Sequence, residues 1–81
     1  MERTEVLEKV KEVVAKVLKV DKDSITEESR FVEDLGAESI QSVELMAAFE
    51  EEFDIELDED RSQECKTVGM AVDYISEVLS S

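Results

Sequence analysis

Apolar residues along the first part of the chain recur at helical spacing. Leu7, Val10, Val14, Val17 and Leu18 fall on one side of a helix over residues 3–18, Val13 widens that stripe, and Glu and Lys fill the rest. The periodicity stops near Lys19. A long connection follows over residues 20–38, in which Ser24-Ile25-Thr26-Glu27 fits a capping box and starts one short turn. Ile25, Phe31, Val32 and Leu35 are the expected anchors of this connection on the core, and Gly36 supplies backbone freedom before the next helix. A second helix is expected over 39–53. A short third runs from Asp58, its N-cap, to about Glu64, and a last helix is capped by Thr67 and runs to about Leu79. Val68, Ala71, Val72, Ile75 and Leu79 form its stripe. The expectation is an all-α four-helix bundle of three main helices and one short one, built from residues 1–81 as a single domain.

The second helix is unusual in having two apolar sides. At 100° per residue, Leu45, Met46, Phe49 and Phe53 share the side suited to the core. Ile40, Val43 and Ala47 fall opposite, together with Glu44 and Glu51. An apolar patch edged by carboxylates suits transient docking, with contact at its centre and charge steering at its rim. The alternative is that the long connection folds over Ile40 and Val43 and buries them.

Composition narrows the function. The formal net charge is −14 with no histidine. Nucleic acid and anionic membrane surfaces are poor partners for such a field, whereas a basic protein patch suits it. Self-repulsion also works against the compact state, so salt or divalent cations are expected to raise the melting temperature. Histidine-based acid–base chemistry and the usual zinc sites are ruled out. Cys65 is the only cysteine, which excludes an intramolecular disulfide and reads first as a small buried hydrophobe. Asp21-Lys22-Asp23 and Asp58-Glu59-Asp60 lack the Gly and Glu that calcium loops place at their sixth and twelfth positions. The chain shows no signal-peptide pattern and no apolar run of membrane length, so no membrane insertion and a cytoplasmic setting are expected.

Ser39 stands where the long connection meets the second helix. It reads either as an ordinary N-cap or as an attachment point. A helix start offers unpaired N–H groups and partial positive charge to a phosphate ester. A serine with no histidine or lysine base nearby is a poor nucleophile on its own, so its modification calls for another enzyme.

The stretch Phe31-Val32-Glu33-Asp34-Leu35-Gly36-Ala37-Glu38-Ser39-Ile40 resembles the acyl carrier protein signature, which typically reads Asp-Leu-Gly-Ala/Gly-Asp-Ser-Leu. Val43-Glu44-Leu45, Phe49-Glu50-Glu51-Glu52-Phe53 and the closing Val72-Asp73-Tyr74-Ile75 extend the resemblance over essentially the whole chain. It implies a non-enzymatic, monomeric carrier. A holo-synthase, or phosphopantetheinyl transferase, attaches 4′-phosphopantetheine to Ser39, and the arm's thiol holds acyl groups as thioesters. It further implies acyl-processing partners whose basic docking patches meet Glu38, Ile40, Val43, Glu44, Ala47, Glu50 and Glu51. Phe31, Val32, Leu45, Phe49, Leu57 and Val68 are the positions it implies for an acyl pocket.

Four positions depart from the family pattern. Glu38 replaces the usual Asp, Ile40 the usual Leu, Asp58 the usual Pro, and Cys65 stands near a usually aliphatic position. The last two surround the third helix and point to altered cargo or partners. The readings are therefore a carrier of fatty-acid or related acyl chains, a specialised polyketide, lipid-modifying or aminoacyl carrier, and a non-covalent acidic helical adaptor.

Overall fold

The computed structural model describes residues 2–80. Four helices appear in order: α1 (Arg3–Leu18), α2 (Ser39–Phe53), α3 (Glu59–Glu64) and α4 (Val68–Ser80), with a 3₁₀ turn at Lys22–Ser24 after α1. No strand is present among the described residues; an isolated bridge joins Arg30 to Thr67. The all-α four-helix arrangement agrees with the hydrophobic pattern.

The core is one cluster fed by α1, α2, α4 and the long connection. Val6, Val10 and Val14 of α1 are fully buried, as are Val68 and Val72 of α4. The burial corrects the expected α1 stripe. Val6 is its innermost N-terminal member, whereas Leu7, Val17 and Leu18 pack only part-buried at its edge. A stripe of β-branched valines is a stiff filling for a helix interface, because each side chain has one strongly preferred rotamer.

Both α1 and α2 end without glycine. Lys19 and Asp54 take left-handed φ values of 57° and 54°, and their amides donate to the Ala15 and Glu50 carbonyls. Gly36 is left-handed too, with φ of 70°, as expected for the residue that turns the connection into α2.

The long connection is held differently from the sequence expectation. Ser24 does not open a capping box. Asp21 caps the 3₁₀ turn by accepting from the Asp23 N–H, and Ser24 closes that turn, its N–H and hydroxyl both donating to the Asp21 carbonyl. The competing acceptor three residues upstream wins because Asp is itself a strong local cap. Ile25 and Phe31 are buried anchors and Leu35 is part-buried, but Val32 is 64% exposed and anchors nothing. Backbone hydrogen bonds do much of the anchoring. Phe31 N–H donates to Lys66 O at 3.1 Å, Val68 N–H to Ser29 O at 3.0 Å, and Gly69 N–H to Glu27 O at 2.8 Å. A Cβ on Gly69 would sit 3.0 Å from that Glu27 oxygen, so glycine permits the close approach. Arg3 adds ion pairs from α1 to Glu27 in the connection and to Asp73 in α4.

Asp58 caps α3 as expected, accepting from the Asp60 and Arg61 amides, and Thr67 caps α4 by accepting from the Met70 N–H at 3.2 Å. The six-residue α3 has no buried residue. Polar contacts to α4 hold it. Asp58 N–H donates to Tyr74 Oη at 2.7 Å, the Arg61 guanidinium lies 4.6 Å from the centre of the Tyr74 ring, and Arg61 pairs with Glu77 at 2.8 Å.

Candidate functional site

Ser39 is the first residue of α2, not its cap. Glu38 has the extended cap conformation (φ −91°, ψ 165°), and its N–H donates to Gln41 Oε1 at 2.9 Å. Glu38 O accepts from Gln41 and Ser42, so the Ser39 and Ile40 amides have no intrahelical acceptor. With Glu38 in the capping role, the Ser39 hydroxyl is free of it. Ser39 is exposed, and its hydroxyl makes no hydrogen bond among the described residues. The N-cap reading of Ser39 is thereby corrected: α2 begins at Ser39, as the expected 39–53 span has it, and the cap falls to Glu38.

Behind Ser39 the second face of α2 is open. Ile40 is 67% and Val43 59% exposed, so the long connection does not cover them. Ala47, Glu44, Glu51 and Glu38 are exposed around them. Glu50 departs from the expected set. Its Oε2 accepts from the Leu57 N–H at 2.8 Å, bracing the turn after α2, which leaves that carboxylate committed to the fold. Residues 31–60 contain neither Lys nor Arg. The only ion pair from α2 among the described residues joins Glu52 to Lys9.

Ser39 also stands on the lining of a cavity of about 670 Å³ between the connection, α2, α3 and α4. Its size lies in the range of small-molecule sites. Phe31, Val32, Leu45, Phe49 and Leu57 line it, as expected. Val68 does not: it is fully buried in the core, because the Arg30–Thr67 bridge draws the start of α4 inward beneath the connection. Sequence reasoning missed Ser62, Cys65 and Tyr74 in the lining. An apolar-periodicity search overlooks polar positions on a short helix, although the departure at Cys65 did mark the region. Burial pushes the Cys65 thiol up, away from thiolate chemistry, and its Sγ lies near the Arg61 and Met70 carbonyls.

The arrangement places an unengaged hydroxyl at a helix start, beside a cavity and ahead of an acidic, partly apolar face. No helix among the described residues is long and apolar enough to cross a membrane. Residues 8–75 match the family described as the phosphopantetheine attachment site. The chain is 46% identical over 78 residues to an acyl carrier protein of Phenylobacterium zucineum, covering 96% of this chain and 99% of that one. It is 47% identical over 73 residues to an acyl carrier protein of a Picosynechococcus species, with 90% of each chain covered. The fold is similar to the solved structure of the acyl carrier protein from Enterococcus faecalis, with a TM-score of 0.79, 35% identity, and 96% and 99% of the two chains covered.

Proposed function

The chain belongs to the acyl carrier protein family and carries acyl intermediates with phosphopantetheine as its cofactor, and from that premise we propose that Ser39 is the residue that bears the arm. The observation that carries this is the Ser39 hydroxyl itself, exposed and unengaged at the first position of α2. The free Ser39 and Ile40 amides and the helix dipole suit the phosphate that an ester at this hydroxyl would bring. When attached, the arm supplies a thiol that holds the acyl group as a thioester. The protein's own residues position that thiol and do not catalyse. The chain has no histidine, and no lysine stands near Ser39 in sequence to activate its hydroxyl, so the ester is made by a transferase.

Glu38, Ile40, Val43, Glu44, Ala47 and Glu51 form the docking face in this reading. Partners are acyl-processing enzymes and a phosphopantetheinyl transferase with basic patches. Attraction at a solvated carboxylate rim gives fast encounter and ready release, as a shuttle requires. Phe31, Val32, Leu45, Phe49 and Leu57 form the acyl pocket, entered from the Ser39 side. Each buried CH₂ of cargo contributes roughly 0.8 kcal/mol, so a medium-length chain shelters there while remaining extractable by a partner. A monomer of one carrier domain over 1–81, in a cytoplasmic setting that keeps Cys65 reduced, fits the same reading. A specialised cargo is favoured over a plain saturated one by the polar residues Ser62 and Tyr74 in the cavity lining.

Incubation with coenzyme A and a panel of transferases, read by intact mass, tests the assignment. One phosphopantetheine is gained by wild type and by Ser42→Ala, and none by Ser39→Ala. An unchanged wild-type mass, or a gain that survives Ser39→Ala, overturns it; unchanged mass with partner binding retained leaves the non-covalent adaptor.

A further inference from the structure

The cavity lining contains one buried side-chain oxygen that the fold leaves without a hydrogen-bond partner, Ser62 Oγ. The other polar groups of the lining are accounted for. Tyr74 Oη accepts from the Asp58 N–H, and Cys65 Sγ sits against two carbonyls. Arg30 pairs with Glu33 and Asp34, while Ser39, Ser42, Glu59, Gln63 and Lys66 are exposed to water. A buried hydroxyl without a partner is costly, and natural folds keep few of them. In a cavity built to receive a chain, such a group is completed by the chain.

We propose that Ser62 is a specificity-determining residue that hydrogen-bonds an oxygen substituent on the acyl chain, so that the pocket prefers hydroxy- or oxo-acyl cargo to the saturated chain of equal length. The inference rests on the acyl-pocket reading above. A serine hydroxyl offers one donor and two acceptor sites, which serve a keto oxygen or a hydroxyl alike. A saturated chain fills the same apolar wall of Phe31, Leu45, Phe49 and Leu57 but leaves Ser62 unpaired. Sites that hydrogen-bond a substrate group discriminate against analogues lacking it, because the site's own polar group then stays unsatisfied. Ser76 supplies an internal control: its Oγ is also buried without a partner, but Ser76 does not line the cavity.

The test uses the full chain carrying amide-linked arms on Ser39, with loading verified by intact mass. The arms are octanoyl and octanoyl bearing a hydroxyl or keto group at carbon 3, 5 or 7. NMR shifts of the Leu57–Cys65 amides read the ratio of sheltered to solvent-exposed arm. At least one oxygenated arm raises that ratio about three- to tenfold over octanoyl, the size of one hydrogen bond that rescues a buried group. Ser62→Ala removes the preference while still sheltering octanoyl, Ser62→Thr retains part of it, and Ser76→Ala leaves it unchanged. Equal ratios for all arms in wild type, or a preference that survives Ser62→Ala, overturn the proposal while leaving the carrier reading intact. Failure to load Ser39 overturns both.

Discussion

Helices α1 and α2 are both rich in glutamate and use it in opposite ways. On α1, Glu8 faces Lys11 and Lys22, Glu12 faces Lys22, and Arg3 reaches Glu27 and Asp73. Acidic and basic residues are equal in number over residues 1–23, so the entire −14 is carried by the rest of the chain. On α2, Glu44 and Glu51 have no cation to meet, and Ile40 and Val43 stand exposed on the same side of the helix. The side of the molecule with balanced charge holds the bundle together. The unbalanced side is kept available, at the cost of self-repulsion, for something basic to land on.

The contrast is sharpest at Ser39, where the largest effect is expected: Ser39→Ala abolishes loading outright, whereas Thr4→Ala at the exposed start of α1 leaves it unchanged, both read by intact mass. Next come the apolar positions. Val10→Ala on α1 lowers unfolding free energy by about 2–3 kcal/mol, since it opens a cavity at a fully buried site. Val43→Ala on α2 leaves chemical denaturation within about 0.5 kcal/mol of wild type and weakens transferase binding. Equal stability losses at the two positions would erase the distinction.

Charge reversals probe the same comparison. Glu44→Lys with Glu51→Lys slows association with a transferase by about tenfold at low salt, and the loss shrinks as salt screens the interface. Glu5→Lys on α1 changes the rate less than twofold. Comparable slowing from either helix would mean that net charge alone steers docking. Added salt or divalent cations should also raise the wild-type melting temperature, and more so than in the Glu44→Lys, Glu51→Lys double variant.

Acidification gives the smallest effect. The hydrogen bond from Arg3 holds the Glu27 carboxyl below the usual carboxylate range, and the Arg30 amide and guanidinium do the same for Asp34. A carboxylate whose pKa is lowered by folding adds stability above its unfolded value, and loses it as pH falls through the folded value. The Arg3→Ala variant therefore melts slightly lower than wild type at pH 7, and the gap closes below the ordinary glutamate value of 4.5. Comparing the two proteins cancels the relief of general repulsion that acid brings to both. A gap that stays constant to pH 3 would show that Arg3 acts through packing alone.

Much of this was legible before any coordinates. Helical periodicity placed α1, α2 and α4 within a residue of their observed bounds, because apolar spacing and local caps such as Asp58 and Thr67 act over one or two turns. The 100° projection separated the inner and outer faces of α2 for the same reason, and the residues around Ser39 carried the family resemblance. Charge segregation is a property of the sequence alone.

Only the tertiary structure decided what depends on distant partners. Val68 was kept out of the cavity lining and Val32 left on the surface where the connection meets the start of α4, at the Arg30–Thr67 bridge between segments far apart in sequence. Glu50 was withdrawn from the outer face by an amide seven residues on, and Ser39 was released from capping by its neighbour Glu38. Tyr74 became the brace of α3, and the Ser62 Oγ was left buried without a partner, through contacts that no periodicity encodes. Propensity and patterning are local and set the elements; hydrogen-bond satisfaction is settled only when the elements meet, and there the chemistry of the site was fixed.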